Sequence, residues 1–179
     1  MTGDVHLRPI TEDDLPLLER MAADREEFGE LAWAGFTSPV QIRKRYHEDG
    51  YLATDNGRLI ACLGSEPIGT VSWLRVAHGP PPSWCWNMGI SLLLEHRGRG
   101  LGTRAQQRLV DYLFRTSDAV RIEAQTLVDN LAEQRALERT GFAREGVLRS
   151  AQFLDGAWRD VAVYSRLRRE WEGGPALMG

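Results

Sequence analysis

The chain has 179 residues, of which 42% are hydrophobic and 26% are charged, and its formal net charge at pH 7 is −3. A chain of this length can bury a large core without disulfides or metals, so we expect one domain over 1–179, with its core at about 7–167 and a flexible tail at 173–179. The slightly acidic balance gives no support to nucleic-acid binding.

The cysteine count and the hydropathy pattern exclude several other classes of protein. The two cysteines, Cys62 and Cys85, are too few for a disulfide scaffold or a metal site. We expect both to be buried and reduced, which is typical of the cytoplasm. No apolar run is long enough to span a membrane, and the polar, acidic start does not resemble a signal peptide. We therefore expect neither a metal nor a membrane contact.

Hydrophobic periodicity and capping residues divide the N-terminal half into five elements. These are a strand at 6–10, a helix that starts at Thr11 or Asp13 and runs to about Asp24, a helix at 40–48, and strands at 59–63 and 68–76 that form a hairpin. The three prolines at 80–82 predict a loop, because proline cannot donate a backbone hydrogen bond to a neighbouring strand.

The C-terminal half alternates between strands and helices and ends in a hairpin. We predict a strand at 86–94, an amphipathic helix from Leu101, a strand at 120–128, a helix at 131–140 that Gly141 stops, and two further strands. Asp155-Gly156 predicts a two-residue type I′ turn between these last strands. The order β-α-α-β-β-β-α-β-α-β-β indicates an α/β (α+β) fold, a mixed sheet flanked by helices.

The run Arg97-Gly98-Arg99-Gly100-Leu101-Gly102 connects a predicted strand to a predicted helix. Its three glycines let consecutive backbone N–H groups face one concavity, next to the positive end of the helix dipole. Such a loop binds anions, and a diphosphate is a common ligand. Arg97, Arg99 and Arg104 add positive charge nearby. We therefore predict a binding site for a phosphorylated cofactor.

Two other glycine-rich motifs do not fit this run. A dinucleotide-binding motif needs its third glycine at Thr103, and a Walker loop needs Gly-Lys-Ser/Thr, which the chain lacks. The run matches Arg/Gln-x-x-Gly-x-Gly/Ala, so it resembles the signature of the GNAT N-acetyltransferase superfamily, in which this loop holds the diphosphate of acetyl-coenzyme A. By itself the motif leaves a second interpretation open, a glycine-rich connection with solvated arginines.

A second motif strengthens the resemblance. Asn130 begins a predicted helix that ends in Gly141-Phe142, and this is similar to the second GNAT motif, whose asparagine commonly binds the cofactor. With Glu133 three residues later, Asn130 also fits a helix N-cap, and the two roles are compatible. The segment at 141–160 resembles the branch that contains ribosomal-protein N-terminal alanine acetyltransferases and many small-molecule relatives.

The resemblance implies a fold, a cofactor and a set of cofactor-binding residues. The fold is the GNAT fold, a mostly antiparallel sheet of about seven strands with about four helices, in which the fourth and fifth strands splay apart to admit acetyl-coenzyme A. The implied cofactor-binding residues are Ile90, Ser91, Leu92, Arg97, Gly98, Arg99, Gly100, Leu101, Gly102, Thr103, Asn130 and Arg135.

The implied reaction is the attack of a neutral amine on the thioester carbonyl, which needs a proton acceptor, a donor for the oxyanion and a proton for the thiolate. The chain departs from the family here. Leu137 stands where many members have a tyrosine, Glu133 where some have a serine, and Gln152 where some have a carboxylate. The candidate catalytic residues are Glu133, Tyr164 and Ser91. Glu133 also fits a purely capping role, and Tyr164 a core role.

Acidic and aromatic residues alternate in the segment after the first predicted helix. Negative charge at 24–30 beside apolar walls suits a cationic amine or a peptide N-terminus, and the same pattern also fits a solvated helix end whose aromatic side chains pack inward. The candidate substrate-binding residues are Phe28, Glu30, Trp33, Trp84 and Trp86. Such aromatic residues also suit a homodimer face.

Two function classes remain open. One is an N-acetyltransferase that acts on a protein N-terminal amine or on a small cationic amine. The other is a coenzyme A-binding module without transferase activity, which the missing tyrosine, serine and carboxylate would explain.

Overall fold

The structure, a computed structural model, describes residues 3–29, 31, 33 and 35–173, without the side chain of Phe28. The expectations for Glu30, for the Phe28 side chain and for the tail at 174–179 therefore lie outside the described residues.

Seven strands form one sheet. They are β1 Val5–Arg8, β2 Asn56–Leu63, β3 Glu66–Ala77, β4 Trp84–Leu92, β5 Arg121–Leu127, β6 Ala143–Leu154 and β7 Ala157–Leu167. Their order across the sheet is β1-β2-β3-β4-β5-β7-β6. Neighbouring strands are antiparallel except β4 and β5, which run parallel. The predicted mixed, mostly antiparallel sheet is confirmed.

The described residues form six α-helices, where about four were predicted. They are α1 Leu15–Ala23, α2 Arg25–Phe28, α3 Pro39–Asp49, α4 Leu101–Thr116, α5 Leu131–Arg139 and α6 Arg168–Glu172. The short α2 is separate from α1 because the Asp24 side chain accepts hydrogen bonds from the backbone N–H groups of Glu26 and Glu27, which starts a new helix. The predicted start of the first helix is a 3-10 turn, Glu12–Asp14.

The fourth and fifth strands pair over only three residues. Residues 86–88 of β4 lie beside residues 122–124 of β5. Beyond these pairs β4 continues along β3 to Leu92, whereas β5 continues along β7 to Leu127. The two strands therefore diverge and open a gap in the sheet, as the family resemblance implied.

The sheet lies between two helical layers. On one face, a large apolar cluster joins strand residues such as Met88 to Leu109 of α4. On the other face, Leu18 of α1 and Ile42 of α3 pack with Ile60 of β2. Full burial of one such side chain contributes roughly 1.5–3 kcal/mol to the free energy of unfolding. Packing of both helical layers therefore stabilises the sheet on either side.

Three smaller predictions concern the cysteines, the last turn and the membrane. Cys62 and Cys85 are both buried and free, as predicted. The β6–β7 turn has positive φ at Asp155 (51°) and at Gly156 (74°), which fits type I′ geometry. Within the described part of the chain, no helix has the length and apolar character needed to cross a bilayer.

Candidate functional site

A cleft of about 750 Å³ opens where β4 and β5 diverge. Its walls come from the end of β4, the start of α4, the exposed side of α5 and the segment after α2. The predicted cofactor-binding residues that line it are Ile90, Ser91, Leu92, Arg97, Gly98, Gly100, Gly102, Thr103, Asn130 and Arg135. Two predicted residues lie outside this lining: Leu101 is buried in the core, and exposed Arg99 has its Nη1 atom 3.4 Å from Nδ1 of His96.

The glycine-rich loop leaves the start of α4 open. Gly98 and Gly100 adopt left-handed backbone conformations, with φ of 72° and 73°. Gly100 is the N-cap of α4 and has no side chain to cap it, and the first turn contains no acidic residue. The first N–H groups of this 16-residue helix are therefore available to an anion at its positive end.

Two of the three arginines expected to add charge to this loop have other partners. Arg97 donates through Nε to the carbonyl of Leu92 at 2.9 Å, through Nη1 to the carbonyl of Glu26 at 2.9 Å, and through Nη2 to the carbonyl of Glu27. It thereby fastens α2 to the end of β4. Arg104 donates to the Gly3 carbonyl and to the Asp4 carboxylate. Arg97 still lines the cleft and adds positive charge there, whereas Arg104 is not among the described lining residues.

Two arginines of α5 also supply positive charge to the cleft. Arg135 and Arg139 are exposed, lie one helical turn apart and both line the cleft. Arg135 was among the predicted cofactor-binding residues, but Arg139 was not. The spacing of four residues along the helix that Asn130 begins is the signal that would have found it.

Asn130 is the N-cap of α5, as predicted. Its Oδ1 atom accepts a hydrogen bond from the Glu133 backbone N–H at 3.2 Å. The Glu133 side chain turns towards α4, where its Oε1 atom accepts a hydrogen bond from Nε2 of fully buried Gln106 at 2.5 Å. A purely capping role for Glu133 does not account for this arrangement, which places the carboxylate in the wall of the cleft.

The environment of Glu133 changes its acidity. Burial raises the pKa of this carboxyl group to about 7, and the hydrogen bond from Gln106 opposes the rise only in part. A carboxyl group with a pKa near neutrality can either give or take a proton at physiological pH. Glu133 is therefore the described cleft residue best suited to proton transfer.

Ser91 lies on the part of β4 that no longer pairs with β5. It is opposite Thr70 of β3, beyond the last pair between β4 and β5. Among the described residues, β4 forms no pairs with β5 beyond Met88, so backbone N–H groups on the edge that faces the gap can donate to a ligand.

Tyr164 does not lie in the cleft. Its side chain is fully buried, and its hydroxyl donates to Gln134 Oε1 at 3.2 Å and lies 3.3 Å from Glu138 Oε1. Burial and the neighbouring Glu138 raise its pKa. Tyr164 is a core residue that joins β7 to α5, so the structure argues against a catalytic role.

None of the predicted acceptor-binding tryptophans is among the described residues that line the cleft. Trp86 is buried and donates to Ser117 Oγ, and Trp84 packs against Trp86 and beneath Arg75. Both lie at the end of β4 away from the gap, so this geometry does not favour contact with an acceptor in the cleft. Trp33 lies in a second pocket, described below.

One group of potential metal ligands was not predicted. His78, Cys85 and Glu123 place one ligand atom each within 4.8 Å of one another. His78 Nε2 is 2.9 Å from Glu123 Oε1 and 3.3 Å from Cys85 Sγ, so these polar atoms already satisfy one another. Burial and nearby Glu123 also raise the pKa of Cys85 to about 12, which disfavours the thiolate that a metal requires. Sequence spacing did not predict the group because its members come from three separate segments.

Comparisons with known proteins agree with this geometry. A family model for the acetyltransferase (GNAT) domain matches residues 4–143. Over 105 residues the chain is 35% identical to a probable N-acetyltransferase of Bacillus subtilis, covering 59% of this chain and 57% of that protein. Over 128 residues it is 31% identical to the ribosomal-protein-serine acetyltransferase of Escherichia coli, covering 72% and 68%.

A solved structure shows the same fold. The spermidine N-acetyltransferase of Vibrio cholerae, crystallised in complex with CoA and spermine, superposes with a TM-score of 0.83 at 20% identity, covering 95% of this chain and 99% of that one. Among curated sequences the match is shorter, since the chain spans 47% to 57% of the length of the first Bacillus relatives. The family model nevertheless covers well over half of the chain, and the protein belongs to the acetyltransferase (GNAT) domain family.

Proposed function

We propose that the protein is an N-acetyltransferase that moves the acetyl group of acetyl-coenzyme A to a primary amine. The observation that carries the proposal is the uncapped start of α4, with its two left-handed glycines, beside the gap between β4 and β5. An anion-binding helix start at one end of a cleft fits a ligand that combines a diphosphate with a thioester arm. Family membership supports the same assignment.

The cleft residues divide into groups with different roles. The loop amides at 98–103, Arg135 and Arg139 would hold the phosphates, while Ile90 and Leu92 offer apolar surface to the arm. When bound, acetyl-coenzyme A supplies the acetyl group as an activated thioester. The β4 edge that diverges from β5 would present backbone N–H donors where negative charge develops on the carbonyl oxygen.

We assign proton transfer to Glu133, with Ser91 as a second candidate. The attacking amine must lose a proton and the departing thiolate must gain one. Because burial raises its pKa to about 7, Glu133 exists in both protonation states near neutral pH. Tyr164 is left out of the proposal because it is buried outside the cleft.

The proposed acceptor is a protein N-terminal amine or a small amine. The names of the related proteins include a ribosomal-protein-serine acetyltransferase and a spermidine N-acetyltransferase, which supports both classes. We also propose action in the cytoplasm, because both cysteines are buried and free. The net charge of −3 favours an acceptor that is not nucleic acid.

A homodimer is the proposed assembly. β6 is an edge strand, and the β6–β7 hairpin exposes apolar side chains, namely Val147, Leu148, Phe153 and Trp158. Exposed apolar surface on an edge strand favours pairing with a second copy.

The alternative function is a coenzyme A-binding module without transferase activity. The observation that favours it is the buried leucine at position 137, where many family members carry a tyrosine. Such a module would bind coenzyme A normally and release no thiol in the presence of amines.

Calorimetric binding of coenzyme A to Gly100→Ala tests the loop assignment. A Cβ atom at Gly100, the N-cap of α4, would meet no described protein atom within 4 Å, so it would occupy open space beside the proposed phosphate site. We expect the Kd to rise about tenfold or more, which corresponds to a loss of about 1.4 kcal/mol. The matched control is Gly50→Ala, since Gly50 has φ of 59°, has similarly open surroundings and ends α3. Equal affinity of the wild type and Gly100→Ala would contradict the assignment.

Thiol release from acetyl-coenzyme A tests the transfer itself. We expect release that depends on the amine across a panel of peptides, polyamines and aminoglycosides. Normal binding of coenzyme A with no release by any amine would support the binding-module alternative.

A further inference from the structure

A second pocket of about 370 Å³ lies on the face of the sheet that α1 and α3 cover. Arg45 of α3, Arg58 of β2 and Tyr51 line it, together with Trp33 and Thr70 of β3. No carboxylate is among its described lining residues. The pocket is therefore positively charged.

Arg58 has no anionic partner in the described part of the chain. Its guanidinium lies 5.6 Å from the centre of the Tyr51 ring, and no described carboxylate forms an ion pair with it. Burial lowers the pKa of Arg58, and the charge of nearby Arg45 adds to this effect. A partly buried cation without a counter-charge is costly, so the pocket favours an anion.

Two further donors in the same pocket have no acceptor among the described residues. Arg45 lies 5.0 Å from the centre of the Tyr51 ring, and its Nη2 atom donates to Asn56. Its buried Nε atom has no hydrogen-bond partner in the described part of the chain, and Oδ1 of Asp49 is 3.9 Å from it. The buried Nε1 atom of Trp33 likewise has no partner among the residues that the structure describes. A ligand that accepts several hydrogen bonds would satisfy these groups.

The sheet register places Arg58 of the pocket two strands from the gap. Arg58 of β2 is opposite Ser72 of β3, which is opposite Gly89 of β4. Gly89 is the first β4 residue beyond the pairs with β5. Two strand spacings separate Arg58 from Gly89, about 10 Å. A substrate whose amine lies at the gap can therefore extend to Arg58.

We infer that this pocket receives a carboxylate carried by the acceptor, several bonds away from the amine that is acetylated. The inference rests on the proposed function and narrows its acceptor to an acidic peptide or a small amino acid. It differs from the expectation of a cationic acceptor, which rested on acidic residues at 24–30. In the structure two of these residues already have partners, since Asp24 caps α2 and Glu27 lies 3.6 Å from the Arg20 guanidinium.

Binding of matched acetylated products tests the inference without requiring turnover. The peptide pair is N-acetyl-Ala-Glu-Ala-amide and N-acetyl-Ala-Gln-Ala-amide, and the small-molecule pair is 6-acetamidohexanoate and its amide, all measured with coenzyme A present. We expect the acidic member of at least one pair to bind about tenfold more tightly to the wild type, and this preference to vanish in Arg58→Gln. The pair that shows the preference identifies the acceptor as a peptide or a small molecule.

The control is Arg43→Gln, since Arg43 is an exposed arginine of α3 that pairs with Glu19 outside the pocket. It should retain the wild-type preference. Arg45→Gln provides a second test of the pocket if Arg58→Gln does not fold. Equal binding within both pairs, or a preference that survives both pocket substitutions, would overturn the inference. Failure of the proposed function is distinguishable, because it would appear as loss of coenzyme A binding or of thiol release with every amine.

Discussion

The side chain of Glu133 is held between two helices. Its backbone N–H donates to Asn130 at the start of α5, while its carboxylate accepts a hydrogen bond from Gln106 of α4. The carboxylate consequently lies in the wall of the cleft, where burial favours its uncharged form. One residue thus contributes both to a helix start and to the proposed chemistry.

Glu133→Gln tests the ionisation of this residue through stability. The folded-state pKa is about 7 and the ordinary value is 4.5, so the folded protein binds the proton more tightly than the unfolded chain. Protonated Glu133 contributes its full stabilisation to the folded protein below pH 4.5, and this contribution is lost as the pH rises through 7. At 1.36 kcal/mol per pKa unit, the loss amounts to about 3 kcal/mol in the free energy of unfolding. Urea unfolding should show Glu133→Gln gaining stability relative to the wild type between pH 5 and about 8. The control is Glu48→Gln, at an exposed carboxylate of α3, and a trend of equal size in both variants would contradict the assignment.

At the scale of elements, three short segments build the cofactor end of the cleft. The loop at 97–100 sets the direction of α4, the end of β4 supplies the floor, and Arg97 ties both to α2. α5 closes the opposite side with its first turn and its two exposed arginines. Asn130 fixes the start of α5, and the first turn of α5 lines the cleft. A change at this cap therefore acts directly on the shape of the cleft.

Substitutions at Asn130 separate its cap from its proposed contact with the cofactor. Asn130→Ala removes the acceptor for the Glu133 N–H, and we expect a loss of about 1 kcal/mol in the free energy of unfolding together with weaker coenzyme A binding. Asn130→Asp keeps a capping oxygen but adds negative charge near the phosphates, so it should retain stability and still bind coenzyme A less tightly. Urea unfolding and calorimetry measure the two effects. Wild-type stability and affinity in Asn130→Ala would show that the residue has neither role.

At the scale of the whole molecule, the cleft combines residues from both halves of the chain. The described lining extends from Glu26 to Arg139, across a single sheet. Binding at such a site requires that both halves be folded at once.

Coenzyme A should therefore stabilise the entire protein in one cooperative transition. At a free concentration of about 100 Kd, a ligand that binds only the folded state adds about 2.7 kcal/mol to the free energy of unfolding. Calorimetric melting with and without coenzyme A measures this. A second transition that coenzyme A does not move would contradict both the expected single domain and a site shared by the two halves.

The sequence by itself determined the elements and the anion-binding loop, because both depend on local chemistry. Apolar periodicity predicted the strands and the longer helices, and three glycines before a helix predicted an open helix start at Gly100. Asp155-Gly156 determined a turn in the same way, since a two-residue type I′ turn requires positive φ at both positions. The gap between β4 and β5 came from the family resemblance, because periodicity does not show where two paired strands separate.

Only the tertiary structure decided the partners of the charged and aromatic side chains. The sequence predicted that Arg97 binds the cofactor. In the structure its guanidinium donates hydrogen bonds to backbone carbonyls of α2 and β4. The sequence predicted an acceptor-binding role for Trp86. In the structure Trp86 pairs with β5, at the end of β4 where the two strands are still joined. The sequence did not predict a binding role for Arg58. Its position two strands from the gap depends on the register of β2, β3 and β4, which the sequence does not show. Long side chains reach partners that are remote in sequence, so their roles depend on packing, whereas turns and helix starts depend on neighbouring residues.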